Sequence, residues 1–75
     1  CNKLQREIEC KYFNQAMELI IQVGKLAEEE GHHPDIYLYD YNKVRLTLYT
    51  HAISGLSKND FILAAKINTL VEKSL

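Results

Sequence analysis

The feature that most constrains this chain is the stretch from Phe13 to Glu30. Its apolar residues recur at three- and four-residue steps: Ala16, Leu19, Ile20, Val23, Leu26 and Ala27 form one stripe. Gln15, Glu18, Gln22, Lys25 and Glu29 take the opposite side. That period is the signature of an amphipathic helix, which must bury its stripe against another element. Gly31 stands where a helix-ending left-handed residue belongs, and Pro34 prevents continuation. Glu28, Glu29 and Glu30 crowd the last turn. The helix dipole disfavours anions there by roughly 0.3–1 kcal/mol each, unless a cation stands close. His32 and His33 follow immediately.

The flanking segments alternate instead with period two. In residues 4–10, Leu4, Ile8 and Cys10 fall on one side and Arg6 interrupts the row, which predicts a strand. Residues 36–41 and 44–50 are rich in β-branched and aromatic types. Val44, Leu46 and Leu48 share one face; Arg45, Thr47 and Tyr49 share the other. Asp40 to Lys43 holds turn residues, so these two strands form a hairpin. Residues 52–56, with Gly55, predict a loop. Ser57 and Asp60 then make a variant capping box with the shorter acid. A second helix runs to about Glu72, with Leu63, Ala64, Ile67, Leu70 and Val71 as its stripe.

The order strand, helix, strand, strand, helix predicts an α+β fold: a small antiparallel sheet with two helices packed on one face. A single domain over residues 1–75 is expected. Either the first strand or the hairpin is left as an open edge, which invites association. Seventy-five residues bury only roughly 60–65% of the surface their unfolded chain exposes. The cysteines, Cys1 and Cys10, cannot build a disulfide framework, so a partner subunit is the expected stabiliser. Scarce cysteines also suggest a reducing compartment.

Charge and hydropathy exclude two broad classes. Nine Lys plus Arg against ten Asp plus Glu give a formal charge of −1, without the basic stripe of a general nucleic-acid binder. No apolar run approaches the roughly 20 residues of a membrane helix, and nothing resembles a signal peptide.

Three histidines carry the functional signal. His32 and His33 lie just beyond a helix end, and His51 lies at the exit of the second hairpin strand; both places can share one end of the sheet. Glu28, one turn before His32, could hydrogen-bond an imidazole. Three readings stand side by side. His-His-Pro can be a polar stop signal favoured by the dipole. His32, His33, His51 and Glu28 can be zinc ligands, although adjacent histidines tend to diverge and no cysteine joins them. Imidazoles with a carboxylate can also perform proton transfer near neutral pH.

The run Glu28-Glu29-Glu30-Gly31-His32-His33-Pro34, then Tyr41-Asn42-Lys43-Val44, Thr50-His51, Gly55-Leu56-Ser57 and Asp60 resembles the pterin-4a-carbinolamine dehydratases. That family's pattern is an acid, three residues, His-His-Pro, an aromatic, His and Asp. Here six residues separate Pro34 from Tyr41, nine separate Tyr41 from His51, and eight separate His51 from Asp60. The similarity runs from about Leu4 to the end of the second helix.

The resemblance implies a dehydratase that removes water from 4a-hydroxytetrahydropterin to give quinonoid dihydropterin. Aromatic amino acid hydroxylases are the implied source of that substrate, and no metal or organic cofactor is implied. His32, His33 and His51 match the family's active-site histidines. The expectation is that His32 and His51 flank the 4a carbon as acid and base while His33 binds or orients. Glu28 and Asp60 match positions that polarise or orient these rings, although a carboxylate at Asp60 also suits a helix start. Pro34, Asp35 and Thr50 are expected to line the substrate site. The family also implies a homodimer or homotetramer and a cytoplasmic, partly nuclear location. In animals its members serve as dimerisation cofactors of a hepatocyte nuclear factor. An interaction module using the exposed helix faces and sheet edge is therefore the competing reading. Two departures accompany the match. The chain has no tryptophan, whereas family members carry one in an N-terminal segment expected to be missing here. Ser54 also stands where the family often has a second glycine beside Gly55.

Overall fold

The computed structural model describes residues 2–50 and 58–74, without the side chains of Asn2, Thr50 and residues 58–60. The elements are β1 (Asn2–Glu9), α1 (Phe13–Glu30), β2 (Asp35–Tyr39), β3 (Lys43–Thr50) and α2 (Lys58–Ser74). The expected loop 52–56, with Gly55, and the Ser57 cap lie outside the described residues.

In the sheet β3 is central, antiparallel to β1 on one side and to β2 on the other. Leu4 lies opposite Leu48 and Ile8 opposite Val44. Across the second ladder Ile36 faces Leu46 and Leu38 faces Val44. Because side chains alternate along a strand, these residues share one face. Ile8, Val44, Leu46 and Leu48 are buried there among Ala16, Leu19 and Val23 of α1 and Leu63, Ile67 and Val71 of α2. Both helices thus cover the same face, and the class is α+β. Leu19, Val23, Val44 and Leu63 are fully buried. Each such side chain contributes about 1.5–3 kcal/mol relative to exposure.

Several expectations shift in detail. With β3 central, β1 and β2 are both edges, where one open edge was expected. Strand β1 ends at Glu9, so Cys10 is outside it, yet Cys10 is buried. Its N–H donates to the Asn42 carbonyl (2.7 Å), and its carbonyl accepts from Asn42 Nδ2 (2.8 Å). Asn42 is therefore a buried clasp between the end of β1 and the hairpin turn. At the turn β2 is shorter than expected, ending at Tyr39, while β3 begins one residue earlier than expected, at Lys43. Asp40 and Tyr41 adopt φ of 48° and 54°, a conformation only the turn imposes on non-glycine residues. Lys43 Nζ donates to Asp40 Oδ2 at 2.6 Å across it. Thr47 is buried although it lies on the open face, because it sits mid-way along the central strand. Arg6 faces the helix side opposite Leu46 and stays exposed: from an edge strand its Nη1 donates outward to Asn68 Oδ1 of α2.

The two helices run antiparallel. Gln15, near the start of α1, donates to the Ser74 carbonyl at the end of α2 (3.3 Å). At the other end, Lys66 Nζ donates to Glu30 Oε2 at 2.5 Å. That lysine is the cation the acidic last turn of α1 requires. Tyr12, the N-cap of α1, offers no side-chain cap; Gln15 Oε1 instead accepts from Lys11 N–H at 2.7 Å.

Candidate active site

The site begins with the way α1 stops. Gly31 takes φ 63° and ψ 30°; its N–H donates to the Glu28 carbonyl (3.3 Å), and the His32 N–H donates to the Ala27 carbonyl (3.1 Å). This pair is the Schellman motif, which satisfies two carbonyls a helix end otherwise leaves unpaired. The reversal points the chain back over the last turn. His33 Nε2–H donates to Glu28 Oε1 at 2.7 Å, both side chains largely exposed. The carboxylate one turn before His32 therefore engages His33. Position counting along a helix favours residues three or four apart, and the left-handed Gly31 breaks that count. His32 and Pro34 are half-buried, and Asp35 is exposed at the first position of β2.

Sheet register places this turn relative to the remaining expected residues. Asp35 pairs with Thr47, three residues before the end of β3 at Thr50. The turn carrying Glu28, His32, His33, Pro34 and Asp35 thus sits at the end of the sheet where β3 exits. His51 lies outside the described residues, as do the side chains of Thr50 and Asp60; Asp60 falls in the first turn of α2. A donating Nε2 leaves Nδ1 of a neutral His33 ring as the acceptor nitrogen. The turn therefore offers a carboxylate, two imidazoles and backbone held in one conformation, a set able to orient a small polar molecule and exchange protons with it. Among the described residues no three His, Cys, Asp or Glu side chains gather as a metal site.

Two features were not read from the sequence. Lys66 of α2, which no sequence pattern singled out, closes on Glu30. On the sheet face turned away from the helices, Tyr39 O–H donates to Glu7 Oε2 (2.7 Å) and Arg45 Nε donates to Glu7 Oε1. The Arg45 guanidinium lies 5.6 Å from the Tyr37 ring centre and 5.1 Å from that of Tyr39. The two rings stack with centroids 5.3 Å apart. The Tyr39 hydroxyl first, and Arg45 second, hold the Glu7 carboxyl below the usual carboxylate range. Glu7 in turn pushes the Tyr39 phenol up. The signal was available: register brings Glu7 beside Arg45, and Arg45 beside Tyr37. A small apolar cavity of about 160 Å³ opens between the sheet and α2, lined by Leu4, Arg6, Leu46, Leu48, Ala64 and Ile67 among others; neither His32 nor His33 borders it.

An antiparallel sheet with paired helices on one face, and a Glu/His-His-Pro turn at its end, defines a small α+β domain with an imidazole–carboxylate site. Residues 1–70 match the family described as "Pterin 4 alpha carbinolamine dehydratase", and the chain belongs to that family. It is 48% identical over 73 residues to the protein of Arabidopsis thaliana named "Pterin-4-alpha-carbinolamine dehydratase 2, mitochondrial", covering 97% of this chain and 39% of that one. A protein of Alkaliphilus metalliredigens named for the same dehydratase is 49% identical over 65 residues, covering 87% of this chain and 58% of its own length. The chain thus spans between about two fifths and three fifths of these relatives. Among solved structures, the "transcriptional coactivator/pterin dehydratase" of Brucella melitensis superposes with a TM-score of 0.82 at 31% identity, covering 93% of this chain and 73% of that one. A pterin dehydratase-like protein described as a RuBisCO assembly factor of the alpha-carboxysome has a TM-score of 0.77 at 23% identity, a likeness of fold; it covers 92% and 79% of the two chains. No helix among the described residues is long and apolar enough to cross a membrane. The mitochondrial name of the Arabidopsis relative means that family membership does not fix a cytoplasmic location.

Proposed function

We propose that this protein acts as a pterin-4a-carbinolamine dehydratase, converting 4a-hydroxytetrahydropterin to quinonoid dihydropterin and water. The observation that carries the reading is the Glu28–His33 hydrogen bond on the Gly31 turn, in a chain of the dehydratase family. The reaction breaks the bond between the 4a carbon and its hydroxyl oxygen. The lone pair of the neighbouring ring nitrogen supplies the push, an acid protonates the departing hydroxyl to water, and a base removes the proton from that nitrogen. Imidazole performs either task near neutral pH, typically contributing about 10²–10⁴-fold.

In this assignment His32 and His51 are the acid and base on either side of the 4a carbon. His33, held by Glu28, binds and orients the pterin, and Asp60 orients a ring from the start of α2. Pro34, Asp35 and Thr50 line the substrate. The hydroxyl adduct is the product of an aromatic amino acid hydroxylase, and the assembly is a homodimer or homotetramer in the cytoplasm or nucleus. A dehydration assay with the 4a-hydroxypterin generated in situ tests the reading. His32→Ala and His51→Ala should each lower kcat/KM by about 10²–10⁴-fold. Full activity in both variants overturns it.

A second role as a transcription-factor dimerisation cofactor draws support from the coactivator name of the Brucella relative and from Phe13, Met17 and Ile21, exposed one turn apart along α1. Retention of a helical partner that depends on these three residues and ignores the histidines would favour that role.

A further inference from the structure

We infer that Gly31 is a positioning residue for this reaction: the left-handed conformation of its backbone, and not its small size, sets where His32 and His33 stand. The inference rests on the dehydratase reading and adds to it a residue that need touch no substrate. Among the described residues, a Cβ built on Gly31 meets no atom within 4 Å. Space is therefore not the constraint. The constraint is φ of 63°, where an L side chain crowds its own carbonyl and where asparagine is the best tolerated substitute.

Two hydrogen bonds close around that conformation, Gly31 N–H to Glu28 and His32 N–H to Ala27. The Glu28–His33 contact depends on it as well. Five positions separate these residues, whereas neighbours on a continuous helix are three or four apart. Only a reversal at Gly31 brings the His33 ring back to the Glu28 carboxylate. Pro34 blocks the alternative of continuing the helix through the histidines. From the other helix, Lys66 holds Glu30, the residue directly before Gly31, at 2.5 Å. On the helix side of the turn Ala27 is buried in the core, whereas His33 is exposed, so a strained substitute at position 31 displaces the histidine side more readily than the helix end.

The experiment compares Gly31→Asn with Gly31→Val in the full chain, both confirmed folded by circular dichroism and thermal unfolding. Gly31→Val should lower kcat about ten- to a hundredfold while KM moves little, the loss expected of displaced acid–base groups. Gly31→Asn should keep kcat near wild type. Two-bond proton–nitrogen NMR correlations of the His33 ring should show the Nε2–H donor state in wild type and Gly31→Asn, and its loss in Gly31→Val. Should the valine variant fail to fold, Gly31→Ala takes its place in the same comparison. A folded valine or alanine variant with wild-type kcat and an unchanged His33 signature overturns the inference. A wild-type chain with no dehydration at all overturns the dehydratase reading instead, and the NMR comparison then decides the positioning by itself.

Discussion

Glu7 shows how strongly a single residue here depends on partners far away in sequence. Tyr39 and Arg45 both donate to its carboxylate, and its folded pKa is lowered, the tyrosine hydrogen bond being the larger cause. A carboxylate with a depressed folded pKa adds stability above its ordinary pKa and loses it as pH falls through the folded value. Urea denaturation of wild type and Glu7→Gln should therefore show wild type the more stable above about pH 5. The gap should shrink as pH falls into the lowered range. A gap that is constant with pH would mean that the network is not ionic. Cys10 behaves in the opposite sense: burial pushes its thiol up, so it is a poor nucleophile while the protein is folded.

Elements differ in how much of their stability is local. Helix α1 carries its own stop at Gly31, and its ends coincide with those its periodicity predicts. Its strength still comes from packing, since most helical stability in a folded protein derives from burial of the apolar face and not from propensity. Leu19→Ala or Leu63→Ala should destabilise the fold by about 2–5 kcal/mol, as removal of a fully buried leucine leaves a cavity. Ile21→Ala, on the exposed side of the same helix, should change stability by less than about 0.5 kcal/mol in the monomer. Equal losses at Leu19 and Ile21, measured by denaturant midpoints, would contradict the assignment of faces. Strand β1 is the contrasting case. Its register and its end are decided by β3 and Asn42, because a strand has no internal hydrogen bonds.

At the scale of the whole molecule, the two edge strands of the described sheet and a small core make association the expected remedy. The near-zero net charge does not oppose it. If folding and assembly are linked, the midpoint of thermal unfolding should rise with protein concentration, and sedimentation should give a mass of two or four chains. A monomeric mass with a concentration-independent midpoint would sink the oligomer.

The sequence alone determined those features that depend on short spacings. It determined α1 with its Gly31 stop, the alternating faces of β3, the hairpin, the stripe of α2, and the cluster of Glu28, His32, His33, Pro34 and Asp35 around one turn. Each follows from a period of two or 3.6 residues, or from a residue whose backbone is unusually free or unusually fixed. Tertiary structure decided what depends on distance across the chain: β3 as the central strand, Lys66 as the cation beside Glu30, Asn42 as the clasp on Cys10, and Glu7 joined to Tyr39 and Arg45. It also decided that Glu28 engages His33, because one left-handed residue redirects the chain and removes the helical count on which sequence reasoning relies.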